Sequence, residues 1–339
     1  MSGPVVKLLM RRLLTVIPTL IMVSLLLFCV LRLLPVDAAA MSLPPNATND
    51  EIAAMRIEMG LDLPLIQQYG IWFGDMIQGD FGTSIHFRTA VSTLVLDTLP
   101  ATIELAVMAM GFATVFGVLG GLWLFYARGG AVEVGLDLGS VALLSIPEFL
   151  WALFFMLLFG VSLDLLPFIG RLGSGVARPE TITGFLLIDS LLSGNMATFM
   201  DALRHMILPS VALGLSAAPP IMRILRSSLM DVYQEDYIHQ ARQRGISEGR
   251  ILIRHALKNA FLPTLSLMGV QFGFLFGGTL LVEIIFSYPG MGNLMVDAIR
   301  NADLPIIQTV GLTYCVMVLL ISIVVDVLYL VLNPKLREA

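Results

Sequence analysis

Charge is scarce in this chain. Only 13% of its 339 residues are charged, 57% are hydrophobic, and mean hydropathy is +0.87. Soluble domains carry about 25% charged residues, so a water-soluble chain of this length could not cover its own surface. The shortage excludes a soluble globular protein and leaves an integral membrane protein. A formal net charge of −5 excludes a generally basic nucleic-acid binder. Cysteine is nearly absent: Cys29 and Cys315 lie in apolar runs and read as small buried hydrophobes, not a disulfide pair. His86, His205, His239 and His255 are scattered without metal-ligand spacing. No metal or organic cofactor is therefore expected on this chain. Lysine occurs only at Lys7, Lys258 and Lys335, never in the glycine-rich setting of a phosphate-binding loop. An intramembrane enzyme would need a convergent nucleophile, acid pair or metal set, and no His-Glu-x-x-His or Gly-x-Ser-x-Gly pattern occurs. A stand-alone secondary transporter would need ion-coupling groups and usually inverted repeats, and no convincing repeat stands out.

Long apolar runs are what the chain does have. Four are clean, over residues 13–31, 105–127, 259–282 and 304–325, near the ~20 residues that cross a bilayer. Two are less clean: 138–163 holds Glu148 beside Pro147, and 205–222 ends in Pro219-Pro220, where a kink is expected. Together they predict an all-α integral membrane protein with six transmembrane helices. Residues 183–192 are too short to cross and read as an amphipathic or re-entrant surface piece. Basic residues set the direction. Lys7, Arg11 and Arg12 precede the first span, Arg242, Arg244, Arg250, Arg254 and Lys258 lie between the fourth and fifth, and Lys335 and Arg337 follow the sixth. The long loop after the first span sets only Arg56 and Arg88 against eight acidic residues from Asp37 to Asp97. An even span count then puts both termini in the cytoplasm. Ala38-Ala39-Ala40 has the composition of a signal cleavage site, but the preceding apolar run of 19 residues exceeds the ~7–15 of a signal peptide.

The polar, basic segment around Gly245 interrupts this apolar chain. The pattern predicts a short helix over about 231–244, a turn at Gly245, and a second helix opening at Ser247 as N-cap. Arg250, Arg254 and Lys258 recur every four residues as a basic stripe, which positive-inside anchoring to anionic headgroups also explains. Ala241 is small enough to let another surface approach the backbone.

This spacing resembles the cytoplasmic EAA coupling loop of bacterial ATP-binding-cassette (ABC) importer permeases, in the oligopeptide/dipeptide branch. The resemblance extends through Arg11-Arg12-Leu13-Leu14, Gly60-Leu61-Asp62, Gly79-Asp80-Phe81-Gly82-Thr83-Ser84, Ala101-Thr102-Ile103-Glu104-Leu105, Glu283-Ile284-Ile285-Phe286-Ser287-Tyr288-Pro289-Gly290-Met291-Gly292 and Asp303-Leu304-Pro305. Departures are His239-Gln240-Ala241 for Glu-Ala-Ala, Pro35-Val36-Asp37 for Pro-Gly-Asp, and an unusual acid in Pro147-Glu148-Phe149. The resemblance implies a type I permease core over 98–333, preceded by a first transmembrane helix in 1–34 and a periplasmic loop over 35–97, with a cytoplasmic tail at 334–339. It implies a bacterial inner-membrane subunit without its own ATP site, working with a second homologous permease, two cytoplasmic ATPases that use ATP and Mg, and a periplasmic solute-binding protein. Gln240, Ala241, Arg242, Arg244, Gly245 and Ile246 would form the ATPase-coupling site. The cargo implied is dipeptides or short oligopeptides, with nickel chelates, glutathione and opines as alternatives. The region from about 171 to 202 resembles the dipeptide subgroup more than the glutathione type.

Intramembrane carboxylates are the candidates for the translocation pathway, because a charge at a helix centre costs roughly 2.5–3.5 kcal/mol and tends to face a cavity. Glu148, mid-way along the third run, reads either as a pathway residue or as a subunit-contact carboxylate. Glu283 and Asp326, like Glu104, lie nearer span ends, where polar partners are within reach. Arg223 and Arg226 read as snorkelling anchors. Gly117, Gly120, Gly121 and the Gly277-Gly278 pair suit close helix packing, and Pro289-Gly290-Met291-Gly292 reads as a tight turn.

Overall fold

The computed structural model describes residues 2–33, 37–44 and 46–332, with the side chains before Met10 and those of Arg11, Ala38 and Leu332 left undescribed. The departure at Pro35-Val36 and the basic residues Lys335 and Arg337 lie outside the described residues. Among those described the chain is helical, and its one β-type pairing is an isolated bridge between Thr83 and Ala90.

Helix α1 (Ser2–Arg32) is followed by three short helices, α2 (Ala38–Ser42), α3 (Asn49–Glu58) and α4 (Leu65–Ile77). Thr48 starts α3 with a capping box in which Glu51 answers its backbone N–H. The long helices are α5 (Val91–Tyr126), α9 (Met196–Val232), α12 (Leu257–Ile285) and α14 (Leu304–Leu332). At about 1.5 Å per residue, α5 and α9 exceed the ~30 Å hydrocarbon core and carry their ends into the aqueous layers. Among the described residues, five helices are long and apolar enough to cross a membrane.

The third predicted span, over residues 138–163, is not one helix. It divides into α6 (Ala131–Ser145) and α7 (Glu148–Phe155), the latter continuing as π-helix over Met156–Ser162, with a bend of 97° between the halves. The break falls where the Pro147 N–H is missing and the residue before it, Ile146, is held extended. Glu148 therefore occupies the first turn of a helix, directly after the break. By contrast α9 runs unbroken past Pro209, Pro219 and Pro220, so residues 205–222 are only the middle of a longer helix. Packing against α5 along its length overrides the local cost of the prolines.

That α5–α9 contact is the most extensive in the molecule and rests on missing side chains. A Cβ on Gly117 would lie 2.6 Å from Ile221, one on Gly121 2.8 Å from the Met222 carbonyl, and one on Gly214 2.6 Å from the Ala109 carbonyl. Gly120 meets Met222 in the same way. The expected packing role holds for these glycines, but a Cβ on Gly277 would meet nothing and Gly278 backs onto Glu148. Around this pair Leu105, Ala109, Ala113, Leu213, Ile221, Leu275 and Val282 form the main core. Outside it, α14 packs on α12 and α1 on α14.

Two further expectations change. Cys29 is exposed and Cys315 partly so, because both lie on outer faces of the bundle. Arg223 and Arg226 are not free anchors: the Arg223 guanidinium donates to Ser140 Oγ at 3.0 Å, and Arg226 pairs with Glu133 and with Asp137 at 3.1 Å. They clamp α6 onto α9.

Candidate functional site

The polar loop leaves α9 through a turn at Tyr233, so its first helix, α10 (Asp236–Gln243), begins five residues later than the pattern suggested. Gly245 sits at φ +74°. Its N–H donates to the Arg242 carbonyl at 2.9 Å and the Ile246 N–H to the Ala241 carbonyl at 3.2 Å. That pair of bonds is a Schellman motif, which requires the left-handed residue that glycine adopts without strain. Ser247 is at the start of the next helical turn, α11 (Glu248–Arg250), as expected, but its side chain makes no capping bond. The turn is instead closed by Arg242, whose Nε donates to Glu248 Oε1 at 2.7 Å. That bond holds the Arg242 guanidinium above its ordinary pKa, against a small opposing effect of burial. A π-helical stretch, Ile251–Ala256, then feeds into α12.

The loop is a packed unit on the ends of α5 and α9. Ile238, Ala241, Ile251, Leu252 and Ala256 are buried with Phe125, Leu225, Leu229 and Tyr233. Arg128 lies 4.7 Å above Phe125, Phe125 meets Tyr233 at 4.6 Å, and Arg242 lies 5.4 Å from the Tyr233 ring centroid. This corrects the reading of Ala241: its small side chain admits the chain's own helices, not an outside surface. Of the six coupling candidates, Gln240, Arg242, Arg244 and Gly245 are exposed and Ile246 is partly covered. Arg250, Arg254 and Lys258 are exposed as a basic stripe.

The three pathway candidates are not brought together. Glu283 is wholly buried and accepts from Thr102 Oγ1 at 2.7 Å, Gly292 N at 2.7 Å and Asn293 N at 3.2 Å. Thr102 in turn accepts from Met291 N. These bonds lock the turn between α12 and α13 (Met291–Arg300) onto α5, so Glu283 is a latch. Asp326 is paired with Arg12 at the rim of a groove of about 500 Å³ between α1, α12 and α14. Only Glu148 opens onto a cavity without an ion pair or hydrogen bond among the described residues.

Several polar junctions had no sequence signal, because each partner is distant in the chain. Asp303 accepts from Ser84 Oγ at 2.6 Å and His86 N at 2.9 Å, joining residues 219 apart in the first case. Glu104 pairs with Arg171 and accepts from Leu187 N at 2.9 Å. The apolar piece at 183–192 becomes α8 (Leu186–Leu192), and its Asp189 is buried. Burial opposes ionisation of Asp189, but hydrogen bonds from the Thr183 hydroxyl and from the Thr183 and Gly184 N–H groups outweigh it and hold its carboxyl below the usual range. With the folded value depressed, the stabilisation is present above the unfolded value of about 4 and is lost as pH falls through the folded one. Acidification should therefore loosen residues 183–189, read as faster amide exchange there below about pH 4. Asp189→Asn should show that exchange already at neutral pH.

Comparison with known proteins follows this geometry. The family "binding-protein-dependent transport system inner membrane component" matches residues 113–338, and its N-terminal companion matches 5–106. The chain is 40% identical over 329 residues to the di/tripeptide transport system permease protein DppB of Pseudomonas aeruginosa (strain UCBPP-PA14), covering 97% of this chain and 98% of that one. It is 38% identical over 335 residues to the dipeptide permease DppB of Escherichia coli (strain K12), with the same coverages. Identity is 36% over 329 residues to the glutathione transport system permease GsiC of Salmonella choleraesuis (strain SC-B67). A chain of the inward-facing MetNI methionine ABC transporter superimposes with a TM-score of 0.52 at 16% identity, covering 71% of this chain and 96% of that one. That likeness concerns the fold alone, which is the type I ABC-importer permease fold. With nearly its whole length matched, this multi-pass inner-membrane chain belongs to the family of binding-protein-dependent transport system inner membrane components.

Proposed function

We propose that this chain is a permease subunit of an ABC importer that moves dipeptides or short oligopeptides across the bacterial inner membrane. The observation that carries the reading is 40% identity to a di/tripeptide permease across essentially the full length of both chains. The relative at 36% named for glutathione keeps that tripeptide as the second cargo to test. The chain itself supplies no ATP site; two separate ATPases would bind ATP and Mg, a second homologous permease would complete the pore, and a periplasmic binding protein would deliver cargo. The basic bias of the loop and the N-terminal segment supports cytoplasmic termini.

In this reading the α10–Gly245–α11 unit receives the ATPase. Its Schellman turn, Arg242–Glu248 pair and buried cluster make it stiff enough to pass a push into α9 and α12 as a rigid-body movement. Gly245 tests this directly, since a Cβ there would touch nothing but a left-handed residue costs non-glycine side chains about 1–2 kcal/mol. Gly245→Asn, which tolerates that conformation, should retain ATP-driven uptake. Gly245→Val should lose most of it while the complex still assembles. Normal uptake with normal ATPase stimulation in the valine variant would sink the coupling role. The cargo is tested by ATP-dependent uptake of labelled dialanine, with glutathione as competitor; no peptide uptake would refute the reading.

A further inference from the structure

We propose that Glu148, together with Ser216 and Gln271, forms a cation-recognising subsite in the translocation path that takes the ammonium-bearing end of the cargo. The inference rests on the peptide-importer reading and adds where, and by what chemistry, this subunit touches its substrate.

An ionisable side chain at membrane depth is retained where it faces a cavity or a partner. The other intramembrane carboxylates are engaged: Glu104 by Arg171, Glu283 by Thr102 and two backbone N–H groups, Asp326 by Arg12. Glu148 has no such partner among the described residues. It is held in place by the backbone, since the 97° break at Pro147 brings it to the first turn of α7, where the helix dipole favours a negative charge. Gly278 lets it sit against α12, because a Cβ there would lie 3.1 Å from Glu148 Oε1.

The carboxylate opens onto a cavity of about 180 Å³ between α7, α9 and α12, whose other polar lining is Ser216 and Gln271. Ser216 spends its proton on the Leu213 carbonyl at 2.8 Å, which leaves its oxygen lone pairs to accept. Gln271 makes no hydrogen bond among the described residues, so its amide oxygen is also free. The site thus offers a carboxylate, a hydroxyl oxygen and an amide oxygen. An ammonium group carries three donors and no acceptor. The apolar part of the wall is made by the buried Leu213 and Leu275, with the exposed Phe274 at its edge, and a less polar surrounding strengthens a charge interaction.

The test uses the full transporter with its partner subunits and binding protein in membrane vesicles. ATP-driven uptake of dialanine and of N-acetyl-dialanine, which lacks the ammonium, is compared, each at saturating binding protein so that delivery does not limit. Glu148→Gln should lower the dialanine-to-N-acetyl-dialanine uptake ratio about tenfold, the loss of one charge-assisted hydrogen bond. Glu148→Asp should keep the preference. Gln271→Leu, which leaves the carboxylate in place, should shift the ratio the same way by less, and it carries the test if Glu148→Gln assembles poorly. An unchanged ratio, or an equal loss for both cargoes, overturns the subsite. Absence of peptide uptake by the unaltered complex overturns the peptide reading, and the subsite with it.

Discussion

Gly214→Ala should measurably destabilise the bundle and Gly214→Val should prevent its normal assembly. The added Cβ would sit 2.6 Å from the Ala109 carbonyl and 3.1 Å from the Ala113 nitrogen, both on the backbone of α5. Neither atom can swing aside as a flexible side chain would, so α5 and α9 must separate. Overpacking of this kind costs about 1–3 kcal/mol for a methyl, and valine brings two more carbons into the same gap. Separation at Gly214 also strips contact from Gly117 and Gly121 further along the pair. Gly111 is the control on α5, since a Cβ there would meet nothing. Gly111→Ala should be neutral or gain up to about 1 kcal/mol from helix propensity. Unfolding in lipid nanodiscs checks both. Equal stability of the Gly111 and Gly214 alanine variants would contradict the close-approach account.

Glu283→Leu should be the second severe change, although the residue is not expected to touch cargo in this conformation. It removes the acceptor for the Thr102 hydroxyl and the Gly292 and Asn293 N–H groups, at a junction of α5, α12 and α13 in which Thr102 and Glu283 are wholly buried. Each stranded donor costs about 1–3 kcal/mol, so a total of about 3 kcal/mol or more is expected. Glu283→Gln keeps the shape. Its carbonyl can accept from both N–H groups while its amide nitrogen turns to the Thr102 oxygen, so the loss should stay near about 1 kcal/mol. Gly290→Ala should resemble the leucine variant, because its Cβ would fall 2.5 Å from the same carboxylate. Thermal unfolding of the assembled complex separates these variants. A glutamine variant as unstable as leucine would mean that the charge itself, not the bond count, holds the junction.

Much of this architecture is written locally. Apolar runs longer than a bilayer is thick, interrupted by a basic segment, specify the spans and the loop because lipid forces every backbone group into a helix. Gly245 marks its turn for the same reason: a left-handed residue is a local demand, and the Schellman bonds met it where expected. Pro147 and Pro219-Pro220 show the limit. Proline broke one helix by 97° and left the other continuous, because α9 has α5 along its flank and the α6–α7 joint has no comparable support.

The sequence alone thus determined membrane class, helix content, turn chemistry and family resemblance, all properties of neighbouring residues or of ordered motifs. The tertiary structure decided what each polar group does. Glu148, Glu283 and Asp326 are all carboxylates in or beside apolar runs, yet Glu283 is a buried latch, Asp326 is paired with Arg12 and Glu148 faces an open cavity. Thr102 and Arg12 lie far from Glu283 and Asp326 in the chain, and a charge in a low-dielectric interior takes its role from whichever group the fold brings to it.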